Sequence, residues 1–136
     1  MRAEATPRIR VVLIDDDDAL VEVLRLNFEL DARFELVGRA ADGRAGVELV
    51  AALRPDAILM DLHMPGLGGV AATRALLAAH PDACVIAFTS SRDPRELEAM
   101  RDAGAAAVLA KPFDPEAFLD AVAAHARACN ARASAA

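Results

Sequence analysis

The chain is expected to be an α/β protein, (βα)5, with five parallel strands in one doubly wound sheet. Two observations point there. Short apolar runs alternate with helix-length segments five times without interruption. Short apolar runs bounded by polar or turn residues read as buried strands of a parallel sheet, and strict alternation with helices implies right-handed crossovers and helices on both faces. Four of the runs also end alike: Val11-Val12-Leu13-Ile14 meets Asp15-Asp16, Ala57-Ile58-Leu59-Met60 meets Asp61, Cys84-Val85-Ile86-Ala87-Phe88 meets Thr89, and Ala106-Ala107-Val108-Leu109-Ala110 meets Lys111-Pro112.

Each element has a local reason. After the first strand, Asp17 or Asp18 can cap a helix over about residues 19–30, with Leu20, Val23, Leu24 and Phe28 sharing a face. Phe34-Glu35-Leu36-Val37-Gly38 alternates and reads as a second strand near an edge. Asp42-Gly43 signals a turn, and Ala45, Val47, Leu49, Val50 and Leu53 mark the second helix, which Arg54-Pro55-Asp56 breaks. Pro65-Gly66-Leu67-Gly68-Gly69 forms a loop into a third helix ending around His80-Pro81. Asp93 or Ser91 can cap a fourth helix with Pro94 at its first position, and Ala103-Gly104 stops it. Asp114-Pro115 opens the fifth, with Phe118, Leu119 and Val122 turned inward. From about Cys129 to Ala136 the chain turns Ala-, Ser- and Asn-rich and is expected to fray.

The 136 residues suit one domain with a real core, and neither an internal repeat nor an interdomain linker is visible. The expected organisation is a flexible N-terminal tail over residues 1–8, a folded domain over 9–128 and a flexible C-terminal tail over 129–136. Hydrophobic content of 55% with 26% charged residues is that of a soluble globular chain, and no apolar run reaches the roughly 20 residues of a membrane span. The first eight residues hold no apolar segment of the secretory kind, so the expected location is cytoplasmic. Fifteen basic against 21 acidic residues leave a net charge of −6, which disfavours nucleic-acid binding. Cys84 and Cys129 lack metal-ligand spacing and read as a buried small hydrophobe and a surface thiol, not as a disulfide.

In open α/β sheets, ligands bind beyond the carboxyl ends of the strands, where the strand order reverses. The order of residues thus assembles one site from Asp15, Asp16, Asp61, Thr89 and Lys111. Two like charges about 4 Å apart cost about 1 kcal/mol in water and several times that near a protein surface. A carboxylate cluster is tolerated where a cation or a proton relieves it, and carboxylate oxygens suit hard cations such as Mg²⁺. A carboxylate can also attack phosphorus to form an aspartyl phosphate. Lys111 and Thr89 would then hold phosphoryl oxygens, which supplies the positioning and neutralisation that phosphoryl transfer needs.

From about Arg8 to Arg127 the chain resembles the receiver domain of bacterial two-component response regulators. The likeness is carried by Val12-Leu-Ile-Asp-Asp16, Pro55-Asp-Ala-Ile-Leu-Met-Asp-Leu-His-Met-Pro-Gly66, Thr89-Ser90 and Lys111-Pro-Phe113, all in order with helix-sized spacers. The resemblance implies a flavodoxin-like receiver fold with strand order 2-1-3-4-5. It implies that Asp61 accepts a phosphoryl group from a phosphohistidine of a sensor histidine kinase or histidine phosphotransfer protein, shifting conformation to control a downstream partner. It implies Mg²⁺ (or Mn²⁺) held by Asp16, Asp61 and the backbone carbonyl of His63, with Asp15 acting mainly through a metal-bound water. Thr89 and Lys111 would bind the phosphoryl oxygens, and Lys111-Pro112 would be a cis peptide. Such a domain assists its own phosphorylation and dephosphorylation without being an enzyme in the usual sense. The His63 and Ser91 side chains would tune hydrolysis, and the face made by the fourth helix, fifth strand and fifth helix would serve a dimer or a target.

One departure concerns the readout. Many receivers carry an aromatic residue three positions before the lysine, whereas this chain has Val108 there and no Tyr or Trp anywhere. Two other functions remain open on the residues alone. A phosphorylation-independent interaction module on the same fold is one. A small phosphohydrolase with its nucleophile in Asp15-x-Asp17 or Asp16-x-Asp18 is the other, although Leu20 or Ala19 stands where a Thr or Val is expected and no acidic pair follows the fourth strand. The Asp15–Asp18 run is not an EF-hand loop, since Ala19 takes the fifth ligand position and no Gly follows. His80 and His125 are expected at the surface. Leu26, off the apolar stripe of the first helix, is a candidate contact for a helical phosphodonor.

Overall fold

The computed structural model describes residues 7–135 and alternates strand and helix throughout. The elements are β1 (Ile9–Ile14), α1 (Asp18–Glu29), β2 (Phe34–Ala40), α2 (Gly43–Leu53), β3 (Ala57–Met60), α3 (Gly69–Ala79), β4 (Val85–Thr89), α4 (Pro94–Ala103), β5 (Ala107–Ala110) and α5 (Pro115–Ala135). All strand pairs are parallel, in the order β2-β1-β3-β4-β5, so β2 is an edge as its alternation suggested. The register of β1 against β2 shifts once, where Leu36 pairs with Val11 and Gly38 with Val12.

The two-residue period of a strand divides the core into two layers. Val11 and Leu13 of β1, Ala57 and Leu59 of β3, and Ile86 and Phe88 of β4 face α1 and α5, where they meet Leu24, Phe28, Phe118 and Val122. Val12 and Ile14, Ile58 and Met60, and Val85 and Ala87 face the other way, onto Val50 of α2, Leu76 of α3 and Met100 of α4. Fully burying one such side chain contributes roughly 1.5–3 kcal/mol, so the central strands, buried on both faces, anchor everything built at their ends.

Helix ends follow local chemistry. Asp17, Asp42 and Asp93 accept backbone N–H groups at the starts of α1, α2 and α4. Pro94 opens α4, and Gly104 closes it at φ 113°, a left-handed conformation that glycine adopts without steric cost.

Three expectations are corrected. Val23 does not join the buried face of α1, which Val21, Leu24 and Phe28 form; Val23 is 48% exposed because it falls on the flank of that stripe. Cys84 and Cys129 are not separate thiols but a disulfide, joining the residue before β4 to α5 across a Cα–Cα distance of 5.8 Å. The expected C-terminal tail from Cys129 is instead helical, and α5 continues to Ala135. Its many alanines favour helix, and the bond at Cys129 ties that last portion to the sheet. The expected N-terminal tail falls mostly on residues outside those described. Among the described residues, no helix is long and apolar enough to cross a membrane.

Candidate functional site

The site lies where the strand order turns back. From β1 the chain moves outward to β2 and then returns to the far side of β1 as β3, which leaves a crevice between the carboxyl ends of β1 and β3. Asp15 follows β1 directly and Asp61 follows β3 directly. Their backbones are locked to the sheet: the Asp15 N–H donates to Ala40 O at 3.0 Å, and the Asp61 N–H donates to Ile14 O at 2.9 Å. The carboxylates therefore have little freedom in where they point.

Asp15, Asp16 and Asp61 each bring a carboxylate oxygen within 4.8 Å of the others. Asp15 and Asp61 are buried and Asp16 is exposed, so two ligand atoms are fixed and the third faces solvent. That donor set, oxygen only and open on one side, fits a hard divalent cation that keeps waters and a substrate oxygen in its shell. Lys111 completes the charge pattern. Its Nζ lies 2.9 Å from Asp15 Oδ2 and 3.4 Å from Asp61 Oδ1, over the Phe88 ring at 5.3 Å from the centroid. The Lys111 N–H donates to Thr89 O at 2.9 Å, and the Lys111–Pro112 peptide is cis.

Burial, and then the neighbouring charge of Asp15, push the Asp61 carboxyl above the ordinary carboxylate range. Lys111 and the Leu62 N–H, which donates to Asp61 Oδ1 at 2.9 Å, oppose that shift without cancelling it. The site thus holds more negative charge than its own lysine compensates.

Gly69 at the start of α3 lets the helix approach this backbone. A Cβ there would stand 2.2 Å from Asp61 O and 2.8 Å from Leu62 Cα, which no side chain tolerates. Thr89, 1% exposed, ends β4 beside the crevice, and its Oγ1 accepts the Ser91 N–H at 3.0 Å. Val108 lies half-buried in β5 against the layer of α2, α3 and α4. His63 is exposed on the loop after β3. His80 stands against Arg54, away from the crevice, and His125 lies on α5.

Two further residues at the site escaped the sequence reading. Arg39 of β2 donates from Nε and an Nη to the Asp15 carbonyl at 3.1 and 2.9 Å, and reaches Asp18 Oδ1 at 2.8 Å, pinning the loop after β1. Nothing in its spacing marks it. Glu96 of α4 binds both Ser91 and His63; its place three residues after Asp93 is a capping signal, which hides the longer reach.

A doubly wound sheet with an acidic triad, a threonine and a lysine at its carboxyl end defines a class, and the chain belongs to it: residues 11–123 match the response regulator receiver domain family. Receiver domains serve phosphorylation-dependent two-component signalling and bind Mg²⁺ in their acidic pocket. The chain is 36% identical over 115 residues to the transcriptional regulatory protein DegU of Brevibacillus brevis, covering 85% of this chain and 49% of that protein. It is 37% identical over 124 residues to the nitrate/nitrite response regulator protein NarP of Escherichia coli (strain K12), covering 91% and 57%. The signal receiver domain of the putative response regulator NarL from Mycobacterium tuberculosis superimposes with a TM-score of 0.86 at 29% identity, covering 90% of this chain and 98% of that one. The chain spans about half the length of the curated relatives it matches.

Proposed function

We propose that Asp61 is a phosphoryl acceptor and that its phosphorylation by a histidine donor switches this domain between two conformations. The observation that carries this reading is the placement of Lys111 Nζ between the Asp15 and Asp61 carboxylates, at 2.9 and 3.4 Å, over a triad of oxygen ligands. In the reaction, an Asp61 carboxylate oxygen attacks phosphorus, the P–N bond to the donor imidazole breaks, and the electron pair leaves with that ring. Lys111 moves its ammonium from the carboxylates to a phosphoryl oxygen, and the Thr89 hydroxyl donates to another. The Leu62 N–H stays on the acceptor carboxylate and fixes its orientation. Asp15, Asp16, Asp61 and the His63 carbonyl would hold Mg²⁺ (or Mn²⁺), which when bound neutralises the carboxylates and the incoming phosphoryl charge. Occupancy then shifts the balance of two conformations.

A sensor histidine kinase or histidine phosphotransfer protein is the donor in this reading. Val23 and Leu26 of α1 and its C-cap Leu30 are 48%, 50% and 88% exposed at spacings of three and four, an apolar stripe that suits a helical partner. Leu26→Glu is expected to slow transfer from the cognate donor and leave phosphorylation by a small molecule unchanged. The face of α4, β5 and α5 would serve a target or a second copy, and the domain would span residues 9–128.

The test is incubation with Mg²⁺ and acetyl phosphate, read by intact mass beside Asp61→Asn. A single base-labile phosphoryl adduct, absent in the variant and in EDTA, is the expected result. No adduct, with acetyl phosphate and with purified kinases alike, would overturn the reading. Steady turnover of phosphate esters would replace it with a hydrolase.

A further inference from the structure

The rim of the pocket carries a side chain that the proposed chemistry does not use. Glu96 stands in the first turn of α4, three positions after the N-cap Asp93. In a capping box a glutamate there turns back to the N-cap backbone. This one reaches outward: Oε1 accepts the Ser91 hydroxyl at 2.7 Å, and Oε2 lies 2.8 Å from His63 Nε2. Ser91 is two residues beyond Thr89, and its N–H donates to Thr89 Oγ1. His63 is two residues beyond Asp61. One carboxylate thereby ties the loop after β3, the loop after β4 and the start of α4 to one another.

We propose that Glu96 is a positioning residue that clasps these two loops beside Asp61 and sets how long the acyl phosphate survives. The inference rests on Asp61 being the phosphoryl acceptor. Hydrolysis brings a water oxygen to phosphorus; the P–O bond to Asp61 breaks, the carboxylate and inorganic phosphate separate, and a proton passes to solvent. Asp61 is buried among the strand ends, and the exposed His63 and half-buried Ser91 stand on the loops after β3 and β4; in this proposal the attacking water passes them. With Glu96 in place, both side chains share one acceptor and are held. Without it they recover their rotamers, and the rim opens. Exposed pairs couple weakly, so the expected effect is about two- to fivefold.

The experiment phosphorylates wild type, Glu96→Ala and Glu96→Gln with acetyl phosphate and Mg²⁺, removes the donor by desalting, and follows decay by intact mass. Glu96→Ala is expected to shorten the half-life about two- to fivefold, while the initial rate of labelling stays unchanged. Glu96→Gln, which still accepts from Ser91, is expected to fall between the two. In a His63→Ala, Ser91→Ala background, Glu96→Ala is expected to add nothing. Equal half-lives for wild type and Glu96→Ala would overturn the clasp alone, as would an undiminished effect in that background. Absence of any adduct on wild type would instead overturn the acceptor assignment and this proposal with it.

Discussion

The two ends of the sheet use charge in opposite ways. At the amino end, charge closes the backbone. The Arg10 N–H donates to Asp56 Oδ2 and the Asp56 N–H to Arg10 O, both at 2.8 Å, while the Arg10 guanidinium covers the Leu53 and Arg54 carbonyls at 2.8 and 2.9 Å. Near that end the Cys84–Cys129 disulfide also fastens α5 to β4. At the carboxyl end, three carboxylates share a crevice with one ammonium, and the buried Asp61 carboxyl is held above its ordinary pKa by burial and by Asp15. Stability is built at one end and given up at the other, as expected where a functional site needs an unrelieved charge. The difference teaches where each kind of substitution should act.

The largest expected effect is chemical and confined to the carboxyl end. Asp61→Asn should abolish the acyl phosphate while leaving the far-ultraviolet circular dichroism intact. The next tests the opposite end: reducing the disulfide, or replacing it with Cys84→Ala and Cys129→Ser, should cost about 3–4 kcal/mol in urea unfolding for a loop of this length. Adduct yield should not change, and if both quantities fall together the two ends are not independent.

Mg²⁺ should act only at the carboxyl end. At about 100 times its Kd it should stabilise by about 2.7 kcal/mol, reversed by EDTA. That increment should persist in Arg10→Ala and shrink in Asp61→Asn. A smaller effect follows from the raised pKa of Asp61. Its folded-state pKa lies above the unfolded value, so between the two the native state holds more protons than the unfolded chain, and stability falls as pH rises through that window. Without Mg²⁺ at pH 7, Asp61→Asn should therefore unfold at higher urea than wild type, because it removes a charge that burial and then Asp15 disfavour. The gain should vanish below the unfolded carboxylate pKa, and a gain that persists in acid would exclude the charge as its cause. Smallest of all, Arg10→Ala should cost about 1 kcal/mol through the two lost carbonyl contacts, with no change in adduct formation.

Most of the fold was legible because its signals are local. Asp17, Asp42, Pro94 and Gly104 mark helix ends by chemistry within three or four residues, and the buried runs before Asp15, Asp61, Thr89 and Lys111 give the strands. The site was legible for the same reason, since a residue that follows a parallel strand must emerge at the carboxyl end. Val23 was misplaced because the buried stripe of α1 runs through Val21, Leu24 and Phe28, and Val23 stands two positions, about 200°, round the helix from Val21. Glu96 was hidden by a plausible local role. Arg39 had no local role at all.

The sequence by itself determined the alternation of strand and helix, the end of the sheet at which Asp15, Asp16, Asp61 and Lys111 gather, and that Thr89 ends a neighbouring strand. Each of those depends on short-range geometry: period, caps and the polarity of parallel strands. Tertiary structure decided the pairing of Cys84 with Cys129 across 45 residues, the grip of Arg39 on the Asp15 carbonyl, and the bridge from Glu96 to His63 and Ser91. These contacts form between elements whose relative rotation is set by packing, and no pattern along the chain encodes a distance that only packing fixes.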